Sequence, residues 1–287
     1  MEIIVNVKAG KGNGKKRLDK VTAYLDERGL PYAVHRTKSK GHAEQLAREL
    51  SSDGDGKKII VACGGDGTFH EVLNGIDTEK ARLGFIPAGR GNDFARGTQF
   101  TSLDPIKAVA GIIEGTPKRI DYIQISNRRC LNIAGTGMDV DVLLRTSQSR
   151  NHLSYIASLI KCLVKFEPYR VTIHVEGKEI TTDALMVGVC NGSQFGSGIK
   201  VAPMAKADDG KLDLMIVTKP VGTPIMLVMP TFVKGKHVGK EYAQCIPCES
   251  AKIETDAPLE LDGEIYYDLD FNAHIVKNGI NSFEPIK

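Results

Sequence analysis

The sequence predicts an α/β N-terminal domain with an open, mostly parallel sheet, followed by a C-terminal all-β sandwich or barrel domain. Three observations carry this. The first 120 residues alternate short apolar runs with amphipathic helical stretches, the signature of a parallel sheet covered by helices. Beyond about Arg119, strand-like runs follow one another with a single helical interruption. The 287 residues suffice for two domains of about 150 residues each.

The elements justify themselves in order. Glu2 to Val7 is a short apolar strand, and Lys15 to Arg28 places Leu18, Val21 and Leu25 on one helical face, with Gly29 as its stop. Tyr32 to Thr37 is a strand. Ala43 to Leu50 is a helix with Leu46, Ala47 and Leu50 inward. Lys58 to Cys63 is nearly all apolar, as a strand covered on both faces must be. Thr68 to Ile76 is a helix and Leu83 to Pro87 a strand. Asp104-Pro105 opens a helix through Ile113, with aspartate as N-cap and proline in the first turn. Strands then read at Ile120 to Ser126, Cys130 to Ala134, Arg170 to Val175, Thr182 to Val189, Leu212 to Thr218, Ala251 to Thr255 and Ile265 to Phe271. A helical stretch near Leu153 to Phe166 interrupts them.

Composition excludes several classes. With 41% apolar and 25% charged residues the chain is neither disordered nor fibrous. No apolar run approaches the roughly 18 residues of a membrane span. No signal peptide is visible, so the chain reads as cytoplasmic, and a lipid substrate would be met from outside the membrane. Residues 1–120 carry 20 basic against 15 acidic side chains, and residues 121–287 carry 18 against 20. That mild bias suits an anionic small molecule, not a nucleic acid, which brings a stronger basic stripe. Of six cysteines, four lie within or beside apolar segments. Cys245-Ile-Pro-Cys248 has metal or redox spacing, but nothing nearby completes a site, so two ordinary thiols are the plainer reading.

Candidate chemistry begins at Cys63-Gly64-Gly65-Asp66-Gly67-Thr68, which follows the most apolar strand and opens a helix. Such a loop offers backbone N–H groups and a helix N-terminus to phosphate. A carboxylate beside phosphate is repulsive unless a divalent cation lies between them or the acid handles a proton. The plain alternative is an idle Asp-Gly turn. A second loop, Pro87-Ala88-Gly89-Arg90-Gly91-Asn92-Asp93, follows the next strand, and a third, Asn6 to Gly12, follows the first. Loops at the carboxyl ends of neighbouring parallel strands face one crevice, so Asp66 and Asp93 should converge, with Arg90 as a phosphate partner. Asp66 is expected on an exposed loop, so that its replacement by asparagine should leave folding nearly unchanged, within about 1 kcal/mol.

Weaker signals stand in the second half. Asp208-Asp209-Gly210 suits a hard cation or a hairpin connector. Asp262-Gly263-Glu264 is a turn that is either solvated or functional. Lys234, Lys236, His237 and Lys240 follow the apolar Ile225 to Val233, forming either a basic rim for peripheral contact with an anionic membrane or a solvated loop.

Together, GGDGT at 64–68, GxGNDFAR at 89–96 and the Asn-x-x-Ala-Gly-x-Gly at 6–12 resemble the diacylglycerol kinase catalytic domain of the soluble bacterial lipid kinases. Gly135-Thr-Gly-Met-Asp139, Asn191-Gly192 with Phe195-Gly196, Asp209-Gly-Lys-Leu-Asp213 and Asp262-Gly-Glu264 extend the likeness over nearly the whole chain. Val7, His70, Arg90 and Ser197 depart from the family's usual residues. The resemblance implies an ATP-binding domain at 1–120, with about 280–287 returning to it, and a lipid-substrate sandwich at 121–279. It implies ATP in the interdomain cleft as phosphoryl donor, Mg²⁺, and a lipid hydroxyl at the membrane surface as acceptor. Asp66, Asp93 and Glu264 would serve metal and proton transfer. Asn6, Thr37, Gly64, Gly65, Asp66, Gly67, Thr68, Arg90, Gly91 and Asn92 would contact nucleotide. Asp209, with the carbonyls of Lys206 and Lys211, would hold a structural Mg²⁺. Diacylglycerol leads as the acceptor; a sphingoid base or other lipid, or a non-catalytic nucleotide-binding regulator, is the alternative. Homodimerisation stays open.

Overall fold

The computed structural model describes residues 1–146, 166–196 and 198–286. The helical reading of Leu153 to Phe166 therefore lies outside the described residues except at Phe166, as do Ser197 and the Asp139 side chain. The chain forms two units. One comprises Met1–Tyr122, Ala207–Asp209 and Val276–Lys287; the other Ile123–Lys206 and Gly210–Ile275.

In the first unit, β1 (Glu2–Val5), β2 (Ala33–Arg36), β3 (Lys58–Gly64) and β4 (Ala81–Pro87) form a parallel sheet in the order β2-β1-β3-β4. Alternation along β1 sends Ile3 and Val5 to one face and Ile4 to the other, all fully buried. Ile3 and Val5 pack with Leu18, Val21 and Leu25 of α1 (Ala9–Asp26) and with Val109 and Ile112 of α5 (Pro105–Glu114). The opposite layer is α2 (His42–Ser51) against α3 (Asp66–Gly75). Helices on both faces explain why β3 reads as a continuous apolar run.

Phe283 joins the first core, and the Ser282 hydroxyl donates to the Leu83 carbonyl at 3.1 Å. The chain's last residues thus belong to the first unit.

Two features near the glycine-rich loops depart from the sequence expectation. Gly10, Lys11 and Gly12 have left-handed φ, so the regular part of α1 starts after them. The short helix α4 (Asp93–Gly97) was not anticipated, because five residues carry no readable periodicity.

Asp104 caps α5 as expected: its Oδ1 accepts from the Ile106 and Lys107 amides at 2.8 and 3.2 Å. Those bonds, Ile106 first, hold the Asp104 carboxyl below its ordinary pKa. Its stabilisation is therefore present above about pH 4 and is lost as pH falls through the lowered folded value. Asp104→Ala is expected to cost about 1 kcal/mol in denaturant unfolding at neutral pH. Turnover should not change, since the cap touches none of the glycine-rich loops. An unchanged unfolding midpoint would show the cap to be idle.

The second unit is built on antiparallel pairing. Its strands are β7 (Ile133–Gly137), β8 (Tyr169–Val175), β9 (Lys178–Cys190), β10 (Leu212–Thr218), β11 (Ala243–Cys248), β12 (Ser250–Glu254), β13 (Leu259–Leu261) and β14 (Glu264–Tyr266). They join β5 (Lys118–Ile125), β6 (Arg128–Cys130) and β15 (Phe271–Ser282) in one curled eleven-stranded sheet. The first half of β9 pairs with β8; its second half is flanked by β7 and β10. A strand that changes partners along its length lets one sheet fold over a shared core, the logic of a sandwich. Two helices complete the described elements, α6 (Met138–Thr146) and α7 (Ile225–Val233).

Two predicted strands are broken in two. Cys130 to Ala134 divides at Leu131-Asn132, whose amides donate to the Asp262 carboxylate instead of to a ladder. Ile265 to Phe271 divides at the acidic stretch 268–270, and its second part continues as β15 to Ser282. Strand β11 was not read from the sequence because Pro247 interrupts it. Among the described residues it pairs only with β10, and an edge strand tolerates proline. Along a strand, residues three apart face opposite ways, so Cys245 and Cys248 diverge. Burial first, then Asp213, pushes the Cys245 thiol up to about 12; burial pushes Cys248 up to about 11. Both are ordinary protonated thiols.

Candidate active site

The carboxyl ends of the four parallel strands bring the first unit's candidate residues together. Asn6 follows β1, and its N–H donates to the Cys63 carbonyl of β3 at 3.0 Å. Thr37 follows β2 and donates to the Val5 carbonyl at 2.9 Å. Gly64 to Thr68 follows β3, and Ala88 to Asn92 follows β4. In the order β2-β1-β3-β4 the connections reverse direction between β1 and β3, which is where an open α/β sheet receives its ligand.

The loops touch through their backbones. A Cβ on Gly89 would lie 2.5 Å from the Gly65 Cα, and one on Gly10 would meet the Ala88 carbonyl. No side chain fits at these contacts, which is the physical reason for glycine there. Beneath them Phe69 of α3 stacks on Phe85 of β4 at 4.2 Å and meets Phe94 of α4 at 4.8 Å. This buried aromatic cluster fixes the loop after β3 against the loop after β4.

Asp66 is half-buried and holds the second loop. Its Oδ2 accepts from the Asn92 amide and its Oδ1 from the Asp93 amide, both at 2.7 Å. Asn92 is left-handed at φ 53°, and its side chain closes the loop by accepting from Gly89 N–H at 2.8 Å and donating to the Gly89 carbonyl at 3.1 Å. The expectation of an exposed loop is corrected: Asp66 is half-buried, and its carboxylate fastens two loops together. Asp93 begins α4 next to it, half-buried, and Arg90 is exposed.

Glu264 belongs to the second unit, where it is half-buried at the start of β14. The preceding Asp262 and Gly263 form a two-residue hairpin turn with φ of 52° and 90°, the left-handed pair that Asp-Gly favours. Asp262 accepts from the amides of Leu131, Asn132 and Ile133 at 2.9, 2.8 and 3.3 Å, and the Cys130 thiol lies 3.1 Å away. The buried Glu260 accepts from Gly263 N–H at 2.9 Å. Sequence reasoning missed both supports; the only hint was an acid beside a turn glycine. Lys206 and Lys211 are assigned to the second unit and Asp209 to the first. Among the described residues, no group of three or more His, Cys, Asp or Glu side chains is arranged for a metal ion.

Residues 1–125 match the model of the diacylglycerol kinase catalytic domain, and residues 132–281 match that of the YegS C-terminal NAD kinase beta sandwich-like domain. The chain is 30% identical to the diacylglycerol kinase of Bacillus subtilis (strain 168), over 91% of this chain and 88% of that one. The chain belongs to this kinase family. It is 29% identical to the diacylglycerol kinase of Staphylococcus saprophyticus subsp. saprophyticus, over 99% of this chain and 94% of that one. The crystal structure of a diacylglycerol kinase from Bacillus anthracis str. Sterne superposes with a TM-score of 0.77 at 25% identity, covering 99% of this chain and 96% of that one. Membership makes the chain a lipid kinase and carries with it the use of ATP. Among the described residues, no helix is long and apolar enough to cross a membrane.

Proposed function

We propose that the chain transfers the γ-phosphoryl group of ATP to the hydroxyl of diacylglycerol, giving phosphatidic acid, at the cytoplasmic face of a membrane. The observation that carries the phosphoryl-transfer half is the backbone contact of three loops, with Asp66 fastened to the Asn92 and Asp93 amides. Phosphoryl transfer asks little covalent chemistry of a protein and much positioning and charge stabilisation. Loops locked by backbone contact supply that positioning. The diacylglycerol half is supported by the names of the relatives.

Asp66 and Asp93, whose backbone amide donates to Asp66, would offer hard carboxylate oxygens, the donor type that suits Mg²⁺. Bound there, the cation would offset phosphate charge. Asn6, Thr37, Gly64 to Thr68 and Arg90 to Asn92 would bind nucleotide, and Glu264 would accept the proton of the acceptor hydroxyl.

Incubation with ATP, Mg²⁺ and a lipid panel tests the reading. Phosphatidic acid formed from diacylglycerol alone is the expected result. Turnover only on a sphingoid base or another lipid would overturn the acceptor, and tight ATP binding without turnover would overturn catalysis.

A second cation is proposed at Asp209, with the carbonyls of Lys206 and Lys211. Metal that binds only the folded chain raises its stability by mass action. Asp209→Ala is expected to diminish the rise of Tm with Mg²⁺, measured without nucleotide, and to leave ATP affinity nearly unchanged. A parent with no Mg²⁺ dependence, or a mutant that retains all of it, would remove this site.

A further inference from the structure

We propose that helix α7 and the lysine-rich turn after it form a docking surface for an anionic phospholipid bilayer. This deepens the proposed function and rests on it, since diacylglycerol resides in a bilayer.

The first observation is a helix that is apolar on both sides. Val228 and Phe232 of α7 are buried, with Ile225 packed beside them. Yet Leu227 is 70% and Val233 50% exposed, and Val221 in the preceding turn is 97% exposed. A surface helix normally turns polar residues outward. Here Thr231 is the helix's one polar side chain, and its hydroxyl is spent on the Val228 carbonyl at 2.6 Å. A single exposed leucine needs no explanation; a cluster on one element does.

Charge is the second observation. From Leu214 to Lys240 the chain has four lysines and no acidic residue, although it averages about one acid in eight residues. Lys219 pairs with Glu167 at 3.7 Å. Lys234, Lys236 and Lys240 are exposed and make no ion pair among the described residues. Exposed Lys200 joins them, because a Cβ on Gly235 would lie 3.4 Å from its Cβ.

The third observation is that buried contacts and hydrogen bonds hold the turn. His237 is fully buried, stacks on Phe232 at 4.1 Å, and donates from Nε2 to the Val201 carbonyl at 2.8 Å. Burial lowers its pKa, so this histidine anchors the rim and does not add charge to it. The amides of Lys236 and Lys240 donate to the Thr231 and His237 carbonyls at 2.7 and 3.0 Å.

Exposed apolar side chains followed at once by a turn of exposed lysines match a bilayer, whose anionic headgroups lie directly over an apolar layer. Sedimentation of the full chain with vesicles of phosphatidylcholine, alone or mixed with phosphatidylglycerol, tests the assignment. The parent is expected to bind the anionic vesicles in a salt-sensitive way and the neutral ones poorly. The Leu227→Ser/Val233→Ser and Lys234→Glu/Lys236→Glu/Lys240→Glu variants are each expected to lose binding by about tenfold or more. Both should keep the parental turnover on a short-chain, water-dispersed diacylglycerol. Undiminished vesicle binding in both variants, or equal binding to neutral vesicles, overturns the docking surface and leaves the kinase reading intact. Vesicle binding that depends on these residues, with no turnover on diacylglycerol, supports the surface and overturns the acceptor. Parental self-association that Leu227→Ser/Val233→Ser abolishes, without vesicle binding, overturns the surface in favour of an interface between copies.

Discussion

Glu264→Gln is expected to depress kcat by about 10² to 10⁴, the range for a lost general base, with ATP affinity nearly unchanged. Glutamine keeps the size of the side chain and removes only its capacity to take a proton. The residue stands on a firm support. Its turn is held by Asp262, which accepts from three backbone amides, and by the buried Glu260. The substitution leaves both of those carboxylates in place, so the variant should fold, which its thermal unfolding checks. Calorimetric ATP binding beside turnover on one preparation reads both halves. Normal binding with near-parental turnover would remove Glu264 from the mechanism and leave Asp66 as the candidate base. Weakened ATP binding would place it among the nucleotide contacts instead.

Asp66→Asn is expected to fail twice, for separable reasons. Both carboxylate oxygens accept backbone N–H groups at 2.7 Å. An asparagine offers one oxygen, and its NH₂ confronts the other amide. Leaving a half-buried N–H without an acceptor costs about 1–3 kcal/mol. For a chain of this size, each kcal/mol lowers Tm by about 2–4 °C. In the proposed role beside the phosphates, loss of the charge should add several kcal/mol to the barrier, at about 1.4 kcal/mol per tenfold in rate. Turnover should therefore fall by orders of magnitude even well below the lowered Tm. An unchanged Tm would deny the fastening role. A folded variant with turnover within a few-fold of the parent would deny the chemical one. Hydrogen exchange of the Asn92 and Asp93 amides, faster in the variant, would tie the stability loss to these two bonds.

Much of this protein is legible in residue order, because the relevant forces act over a few residues. Alternation and helical periodicity mark the strands and helices of the first unit. The Asp104 cap is a contact between residues two and three apart. Glycine-rich loops placed after parallel strands imply a shared edge by topology alone. Where long-range hydrogen bonds override local propensity, the order of residues is silent. Asp66 reaches amides 26 and 27 positions away, and Asp262 reaches amides about 130 positions away. Such bonds have no period and leave no trace in spacing. They turn a loop acid into a fastener and split the strand expected at Cys130 to Ala134. Burial is decided the same way: His237 looks like one more basic residue in a lysine run until Phe232 and Val201 enclose it. The outward face of α7 is the converse case. A nine-residue run with Thr231 as its one polar side chain has no period that separates an inner from an outer face, and only the packing of the second unit leaves Leu227 and Val233 in water.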